Sequence, residues 1–410
     1  MGSKGRAALT VNNFYDLWIW RQALIRALRS AGFDVLAVGP PGPYEEAVAR
    51  LGCWVDTYPL DRRGLNPVGE LRSLTGLYAI YRRWRPVIAH HFTIKPNLYG
   101  TLAARLAGVP VVVATVTGLG YIWTDDGPKA RVLRAVLGPV YRRVLRLADA
   151  VIYLNEDDRR TLGGRRTVLI PGEGIDLEEF SPGAVPPERR AALRAELGLG
   201  PEDQVVLMVG RMLRHKGVAE FVEAARRVRQ VFPGAAFVLV GPSDPGNPAR
   251  VPPEELRAWE AAGLVRYLGA RDDVRDLLAV ADVAVLPSYR EGIPRVLIEA
   301  AAMGRPLVAT DVPGCREVVQ DGVNGFLVPP KDPAALAAAI EALLEDPGLR
   351  AEFGAASRRL AETRFSDRQV VGRIFRLYAE LVKGRGLAVP EQFEEGPREP
   401  LVDLRHRSGT

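Results

Sequence analysis

Short runs of β-branched and aliphatic residues alternate along the chain with longer stretches whose apolar positions recur every three to four residues. The short runs predict strands buried on both faces, and the longer stretches predict amphipathic helices that cover them. In the first half the strand-like runs are 7–11, 34–38, 87–90, 111–115 and 150–154. A helix is predicted over 17–30, stopped at Ala31-Gly32, and another over 96–107, closed by Gly108 ahead of Pro110. The second half repeats the scheme with strands at 205–209, 236–240, 264–268, 283–286, 306–309 and 325–328, and a helix over 218–231 after the first of them. Strands alternating with helices throughout predict parallel α/β sheets in both halves.

The two halves meet near 181–202, where Pro182, Pro186 and Pro187 precede a short helix and Gly198 and Gly200. This predicts an N-terminal Rossmann-like domain over 1–181 and a second over 182–366. Residues 367–384 read as an amphipathic helix expected to pack back on the first domain, and 385–410 as a polar, proline-rich tail. Two domains also suit a length of 410 residues.

Composition narrows the class. With 47% hydrophobic and 25% charged residues, the chain is neither a disordered segment nor a fibre. The only cysteines, Cys53 and Cys315, offer no disulfide framework and no Cys-based zinc site, so a reduced, cytosolic enzyme is expected. The four histidines are too scattered for a metal centre. Only six of the 55 basic residues are lysine, a bias that accompanies abundant Ala, Gly and Pro and fits a GC-rich coding sequence. Residues 1–180 hold 24 basic and 17 acidic residues, and the remainder 31 and 32. The basic excess therefore lies in the first half and points it toward an anionic partner, a membrane surface or a phosphorylated substrate. The longest apolar run, 109–116, is strand-sized, and the N-terminus carries no apolar signal core. Gly2-Ser3 resembles a myristoylation start, but Arg6 stands where that pattern needs Ser or Thr. The expectation is a chain neither secreted nor membrane-spanning.

Two constellations carry candidate chemistry. The predicted strand 205–209 runs into Gly210-Arg211 and then, after MLRH, into Lys216-Gly217 at the start of a helix. Backbone amides at a helix start favour anions, and two cations there suit a diphosphate; an ordinary loop with solvated charges is the alternative. The second is PSYREGIPRVLIEAAAMGRP, residues 287–306, with Glu291 in the loop after a strand and Glu299 eight residues on in a helix. A carboxylate among Val296, Leu297 and Ile298 needs a partner, which a ribose diol or an arginine can supply.

The Arg-x4-Lys-Gly turn and the Glu-x7-Glu element together resemble the retaining family-four glycosyltransferases of GT-B fold. The resemblance continues through FVLVGP, YLGARDDVRDLLAVADVAVLPS, PLVATDVPGCREVV and DGVNGFLVPPKDPAALAAAI. In the first half VNNFYDLWIWRQALIRALRSAGFDV, HHFTIKPNLYGTLAARLAGVP, TVTGLGYIW and LIPGEGIDLEEFSP resemble bacterial HexNAc transferases acting on undecaprenyl-diphosphate-linked sugars. The resemblance spans about residues 7–380 and implies two Rossmann-like domains facing across a cleft.

It also implies roles. Gly210, Arg211 and Lys216 would meet the donor diphosphate, Glu299 the ribose hydroxyls and Glu291 the transferred sugar. Gly292, Ile293 and the neighbourhood of Pro294 would lie near the phosphates, and the loop 269–273, with Gly269, Arg271 and Asp272, would hold the uracil. Arg211, Lys216 and Glu291 would carry catalysis. Glu173 departs from the family pattern, which has a small polar residue there, and so is expected to alter donor or acceptor preference. On the acceptor side Asn12, Asn13 and Phe14 follow the first strand, replacing a Gly-rich loop of many relatives. His91, Thr93, Lys95 and Asn97 follow another strand and Thr117 and Gly118 the next, with Lys95 expected at an acceptor phosphate and His90 read as a satisfied strand histidine.

For membrane attachment, 81–85 (YRRWR) and 141–146 (YRRVLR) interleave basic with aromatic or apolar residues, and Leu17, Trp18, Ile19 and Trp20 add bulk. A solvated arginine-rich face is the alternative, and no nucleic-acid signature accompanies these segments. Asp125-Asp126 and Asp157-Asp158 read as helix-start or solvated charges, and neither a metal nor a cofactor is expected. The resemblance implies transfer of a sugar from a UDP-sugar to a polyprenyl-diphosphate-linked saccharide at the cytoplasmic face of the inner membrane. A UDP-sugar 2-epimerase of the same fold, a transferase with a soluble acceptor and a non-catalytic nucleotide-sugar-binding protein are the rivals.

Overall fold

The computed structural model describes residues 5–394 apart from 63, 65, 120–122, 124–126 and 201. Asp125, Asp126, part of TVTGLGYIW and residues 395–410 of the expected tail lie outside the described residues. The chain forms two compact units, Met1–Gly174 with Asp367–Thr410, and Ile175–Ser366.

In the first unit seven parallel strands, β1 (Gly5–Thr10), β2 (Phe33–Gly39), β3 (Trp54–Thr57), β4 (Ile88–Phe92), β5 (Val111–Val116), β6 (Ala150–Tyr153) and β7 (Thr167–Leu169), lie in the order β3-β2-β1-β4-β5-β6-β7. The second has β8 (Val205–Val209), β9 (Ala236–Val240), β10 (Arg266–Tyr267), β11 (Val283–Leu286), β12 (Leu307–Thr310) and β13 (Gly325–Val328), ordered β10-β9-β8-β11-β12-β13. Both are doubly wound Rossmann-like sheets, in which strand order reverses beside the first strand and leaves a crevice at the C-terminal strand ends. The reversal falls between β1 and β4 in one unit and between β8 and β11 in the other.

Helices cover both faces of the first sheet. On one face are α1 (Phe14–Trp20) and α2 (Gln22–Ser30). On the other lie α3 (Pro67–Trp84), α4 (Thr101–Leu106) and α5 (Pro128–Leu145), whose Leu77, Ala104 and Tyr141 share one core. In the second unit α6 (Val218–Val231) follows β8, and α7 (Arg295–Ala302) follows β11. Helix α8 (Asp367–Lys383) belongs to the first unit, where His90 bridges the Tyr378 hydroxyl and Thr115 Oγ1 at 2.6 Å each.

The structure departs from the sequence reading in four places. The units separate at Gly174/Ile175, not after 181: the Ile175 N–H bonds to the Phe365 carbonyl at 2.9 Å, and Ile175, Phe180 and Val185 enter the second core. The helix read over 17–30 breaks at Arg21, whose non-helical backbone both caps α1 and opens α2. The helix from Pro96 starts as a π turn, Pro96–Gly100. Finally, β3 and β7 are edge strands, too short and too exposed to show as apolar runs.

Candidate functional site

The turn after β8 and the turn after β11 meet at the reversal point of the second sheet. Gly217 sits at φ +77°, and a Cβ there would lie 2.1 Å from the Pro287 carbonyl oxygen, so only glycine admits this approach. The Tyr289 N–H also bonds to the His215 carbonyl at 2.9 Å. Across this junction Lys216 Nζ lies 2.5 Å from Glu291 Oε1, both largely buried. Gly314, at φ +81°, supports the second loop from beneath, since a Cβ there would meet the Glu291 and Gly292 carbonyls within 2.8 Å.

Arg211 projects to the surface and pairs with Asp244 at 3.3 Å. In α7 Glu299 accepts from Arg295 Nε at 2.7 Å, one turn earlier. Gly210 has open space where a side chain would stand, and so does Gly269 at φ +68°. Gly292 and Ile293 lead into α7 and Pro294 caps it without a side-chain bond, leaving the first-turn amides of the helix to the loop. Two hydroxyls at the same edge, of Ser243 after β9 and Ser288 after β11, are buried without a hydrogen-bond partner among the described residues. Burial, then the nearby Lys216 and Arg211, push the His215 pKa down, against an opposing pull from Glu291.

Around the loop 269–273 the side chains are committed elsewhere. Arg271 bonds to Glu196 at 2.6 Å and to Asp273, which together raise its pKa, and Arg189 also reaches Asp273 at 2.6 Å. Asp272 is exposed. With Arg271 and Asp273 committed, the loop offers a base its backbone groups and the Asp272 carboxylate, while the Gly269 carbonyl already accepts from the Gly241 N–H at 2.7 Å.

The first unit brings the predicted acceptor residues to the ends of β1, β4 and β5, yet several already spend polar groups inside the fold. Asn13 caps α1 by accepting from the Asp16 N–H at 3.1 Å, and it donates to Asn12 Oδ1 at 2.7 Å. Phe14 is buried beneath Gly39. His91 is wholly buried against Tyr81 and Thr101, and burial pushes its pKa down to about 3. Asn97, equally buried, donates to the Thr115 carbonyl at 2.9 Å and the Tyr141 hydroxyl at 3.0 Å, while its Oδ1 has no partner among the described residues. Lys95 uses all three N–H bonds on the Asp61 and Gly64 carbonyls and Glu70, at 2.5–2.6 Å. The expectation that Lys95 meets a phosphate is therefore corrected: it holds the loop before α3.

Thr93 keeps its capacity: its hydroxyl is buried with no partner among the described residues, and its backbone is left-handed at φ +73°, a strained state for a β-branched residue. Thr117 and Gly118, at the end of β5, are half-buried.

Glu173 is likewise not an open carboxylate. It pairs with Arg21, which is 4% exposed and lies 4.0 Å over the Phe92 ring. Arg21, Asp244 and Arg295 were not singled out from the sequence. Only Arg295 had a local signal, the i, i+4 spacing to Glu299.

The two segments proposed for a membrane are corrected in part. Tyr81, Tyr141, Val144 and Leu145 face the core, and Trp84 packs against Trp54 with ring centres 5.8 Å apart. Leu17 is buried, while Trp18 and Trp20 are half-buried. Of those stretches, the arginines reach solvent. Asp158 closes the first turn of its helix by bonding to Asn155 at 2.8 Å. No helix among the described residues is long and apolar enough to cross a membrane.

Known proteins share this plan. Residues 203–346 match the family described as Glycosyl transferases group 1, and residues 21–172 match the Glycosyl transferase 4-like domain. The N,N'-diacetylbacillosaminyl-diphospho-undecaprenol alpha-1,3-N-acetylgalactosaminyltransferase of Campylobacter jejuni is 32% identical over 373 residues, 90% of this chain and 96% of the relative. A D-inositol 3-phosphate glycosyltransferase of Salinispora arenicola is 37% identical over 320 residues, 73% of this chain and 70% of the relative. Among solved structures, Anabaena Alr3699/HepE in complex with UDP covers 92% of this chain and 100% of its own, with a TM-score of 0.76 at 21% identity. Two Rossmann-like units, the reversal-point loops and a relative matched nearly end to end make this chain a member of the group 1 glycosyltransferases, with the two-domain GT-B plan and a glycosyltransferase activity.

Proposed function

We propose that the protein transfers a sugar, in the first instance an N-acetylhexosamine, from a UDP-sugar to a polyprenyl-diphosphate-linked saccharide with retention of anomeric configuration. The carrying observation is the meeting of the Lys216 and Glu291 loops at the reversal point of the second sheet. The near end-to-end similarity to a transferase whose name specifies an undecaprenol-diphosphate sugar supports the acceptor class.

In this reading Arg211 and Lys216 neutralise the departing diphosphate without a metal, the main electrostatic task in breaking a glycosyl phosphate. Glu291 orients the Lys216 ammonium and faces the transferred sugar. Glu299 exchanges Arg295 for the ribose diol, and backbone groups near Gly269 take the uracil. Ser243 and Ser288 supply hydroxyls that a polar donor would satisfy. No side chain is assigned as a nucleophile, so the acceptor attacks on the face the diphosphate leaves, and the leaving phosphate takes the acceptor proton. On the acceptor side Asn12 and Thr93 stand at the reversal point of the first sheet, with Thr117 at the end of the neighbouring strand β5. The reaction takes place at the cytoplasmic face of the inner membrane with the protein peripherally attached.

A soluble acceptor is the second reading, favoured by the similarity to an inositol-phosphate transferase. The deciding experiment measures UDP release from a panel of UDP-sugars with and without a detergent-dispersed polyprenyl-diphosphate saccharide and with inositol phosphate. Release that requires the lipid-linked saccharide supports the proposal. Release with inositol phosphate alone moves the assignment to the second reading, and isomerisation with no acceptor makes the protein an epimerase.

A further inference from the structure

Helix α5 is apolar on two faces. Inward, Tyr141, Val144 and Leu145 enter the core of the first unit. Outward, Val132, Val136 and Val140 are 64%, 61% and 48% exposed. Their spacing of four stacks them as one stripe along the solvent side. Single exposed aliphatics need no explanation, but an aligned row does.

The charge on this helix is equally one-sided. Residues 128–147 contain Lys129 and five arginines and no Asp or Glu. At the C-terminal end an open groove of about 360 Å³ is lined by Pro139, Val140, Arg142, Arg143 and Arg146. Among the described residues no carboxylate pairs with any of these three arginines, whereas Asp149, the next acid, pairs with Arg105 and Arg385. The neighbouring helices on the same side of the sheet add Leu71 at 59% and Leu106 at 68% exposure.

We propose that the outer face of α5 docks on an anionic phospholipid bilayer, with the valine stripe entering the headgroup boundary and the Arg142, Arg143 and Arg146 groove receiving lipid phosphates. The proposal rests on the lipid-linked acceptor argued above and names the surface that meets it. A bilayer satisfies both halves of the observation, since acyl chains take the valines and phosphates take arginines that otherwise repel one another. A nucleic acid would use the arginines and leave the stripe in water. A protein partner would have to bring a dense acidic cluster matched to an apolar row.

The test uses the full chain and flotation with vesicles of phosphatidylcholine alone or with one-third phosphatidylglycerol. The wild type is expected to float with the anionic vesicles only, and to release at high salt. R142Q/R143Q/R146Q should lower partitioning roughly a hundredfold, because three basic residues leave the anionic surface. V132S/V136S/V140S should lower it with the charge unchanged, and circular dichroism should match the wild type for both. Both variants should keep transfer to a short, water-soluble polyprenyl-diphosphate saccharide and lose transfer to the same saccharide embedded in anionic vesicles. Equal flotation on the two vesicle types, no flotation on either, or variants that float like the wild type overturns the docking. Vesicle binding lost in both variants while no lipid-linked saccharide is ever glycosylated keeps the docking surface and overturns the proposed acceptor instead.

Discussion

Lys216 Nζ lies 2.5 Å from Glu291 Oε1 and ties the turn that leaves β8 to the turn that leaves β11. The ammonium thus waits at the strand ends with one of its three donors used. Removing it as Lys216→Ala should lower kcat/KM by about 10²–10³, the range seen when one preorganised stabiliser of a leaving charge is lost. Glu291→Gln keeps the shape and removes the charge that holds Lys216, so its loss should be smaller. Because the two groups act as a unit, the double variant should be far less impaired than the product of the singles. Steady-state UDP release for the four proteins, with thermal melts as a folding control, checks this. Additive losses would mean that the pair does not work together.

The Arg211–Asp244 pair is exposed and contributes about 0–1 kcal/mol to folding. In the donor reading Asp244 instead competes with the diphosphate for the guanidinium. Asp244→Asn should therefore leave the melting temperature unchanged and lower KM for the UDP-sugar several-fold with kcat little altered. A raised KM would make Asp244 a donor contact in its own right.

Gly217 tests whether the junction itself matters. Alanine there must adopt φ +77° and place Cβ 2.1 Å from the Pro287 oxygen, so Gly217→Ala should destabilise the protein by about 2–4 kcal/mol. Gly183, with nothing within 4 Å of its added Cβ, is the control, and Gly183→Ala should stay within about 0.5 kcal/mol. Denaturant midpoints of the two variants read the difference directly.

The sequence reading reaches the central strands and not the partnerships between them. β8, β9, β11, β13 and α6 begin and end where the apolar runs do, because strands buried on both faces must be continuously apolar. β3 and β7 escape because an edge strand is half-exposed, and the π turn at Pro96 because periodicity resolves a helix but not its first hydrogen bonds. Residue type marked Lys95 as a candidate for phosphate, but which acceptors occupy its ammonium depends on a loop 31–34 residues earlier in the chain. Arg21 and Glu173 stand 152 residues apart, beyond any local pattern. The outward stripe of α5 is hidden for a related reason, since which side of the helix Val132, Val136 and Val140 occupy is set by how the helix packs on the sheet.

His90 and His91 make the first unit sensitive to acid. Both are wholly buried and burial lowers both pKa values, that of His91 to about 3. In the unfolded chain they titrate near 6.5. The unfolded state therefore binds more protons below about pH 6.5, and stability is complete above that value and lost as pH falls toward the folded pKa. At about 1.4 kcal/mol per pH unit for each proton, His91 should withdraw roughly 2 kcal/mol by about pH 5, and His90 acts in the same direction. Urea unfolding followed at the tryptophans from about pH 7.5 to 5 measures this. His91→Gln, which can still bond to Tyr81, should flatten the slope by about half, and an unchanged slope would remove His91 from the account.

Glu173 and Arg21 provide the test of how the first unit holds the segment before its boundary. Arg21 is 4% exposed and stacked on Phe92, and its partner Glu173 is 15% exposed, so removing the Glu173 charge leaves a poorly hydrated guanidinium with the Asp16 carbonyl in place of a carboxylate. Glu173→Gln should destabilise the first unit by about 2–4 kcal/mol. By contrast Glu46→Gln, which breaks the fully exposed pair with Arg50, should produce no measurable change. The double variant Glu173→Gln with Arg21→Met should recover part of the loss, because it leaves no unpaired charge. If Glu173 served the donor or acceptor directly, Glu173→Gln would change KM or sugar preference at full stability. The two accounts thus separate on a single protein, by comparing its unfolding midpoint with its UDP-release kinetics across several UDP-sugars.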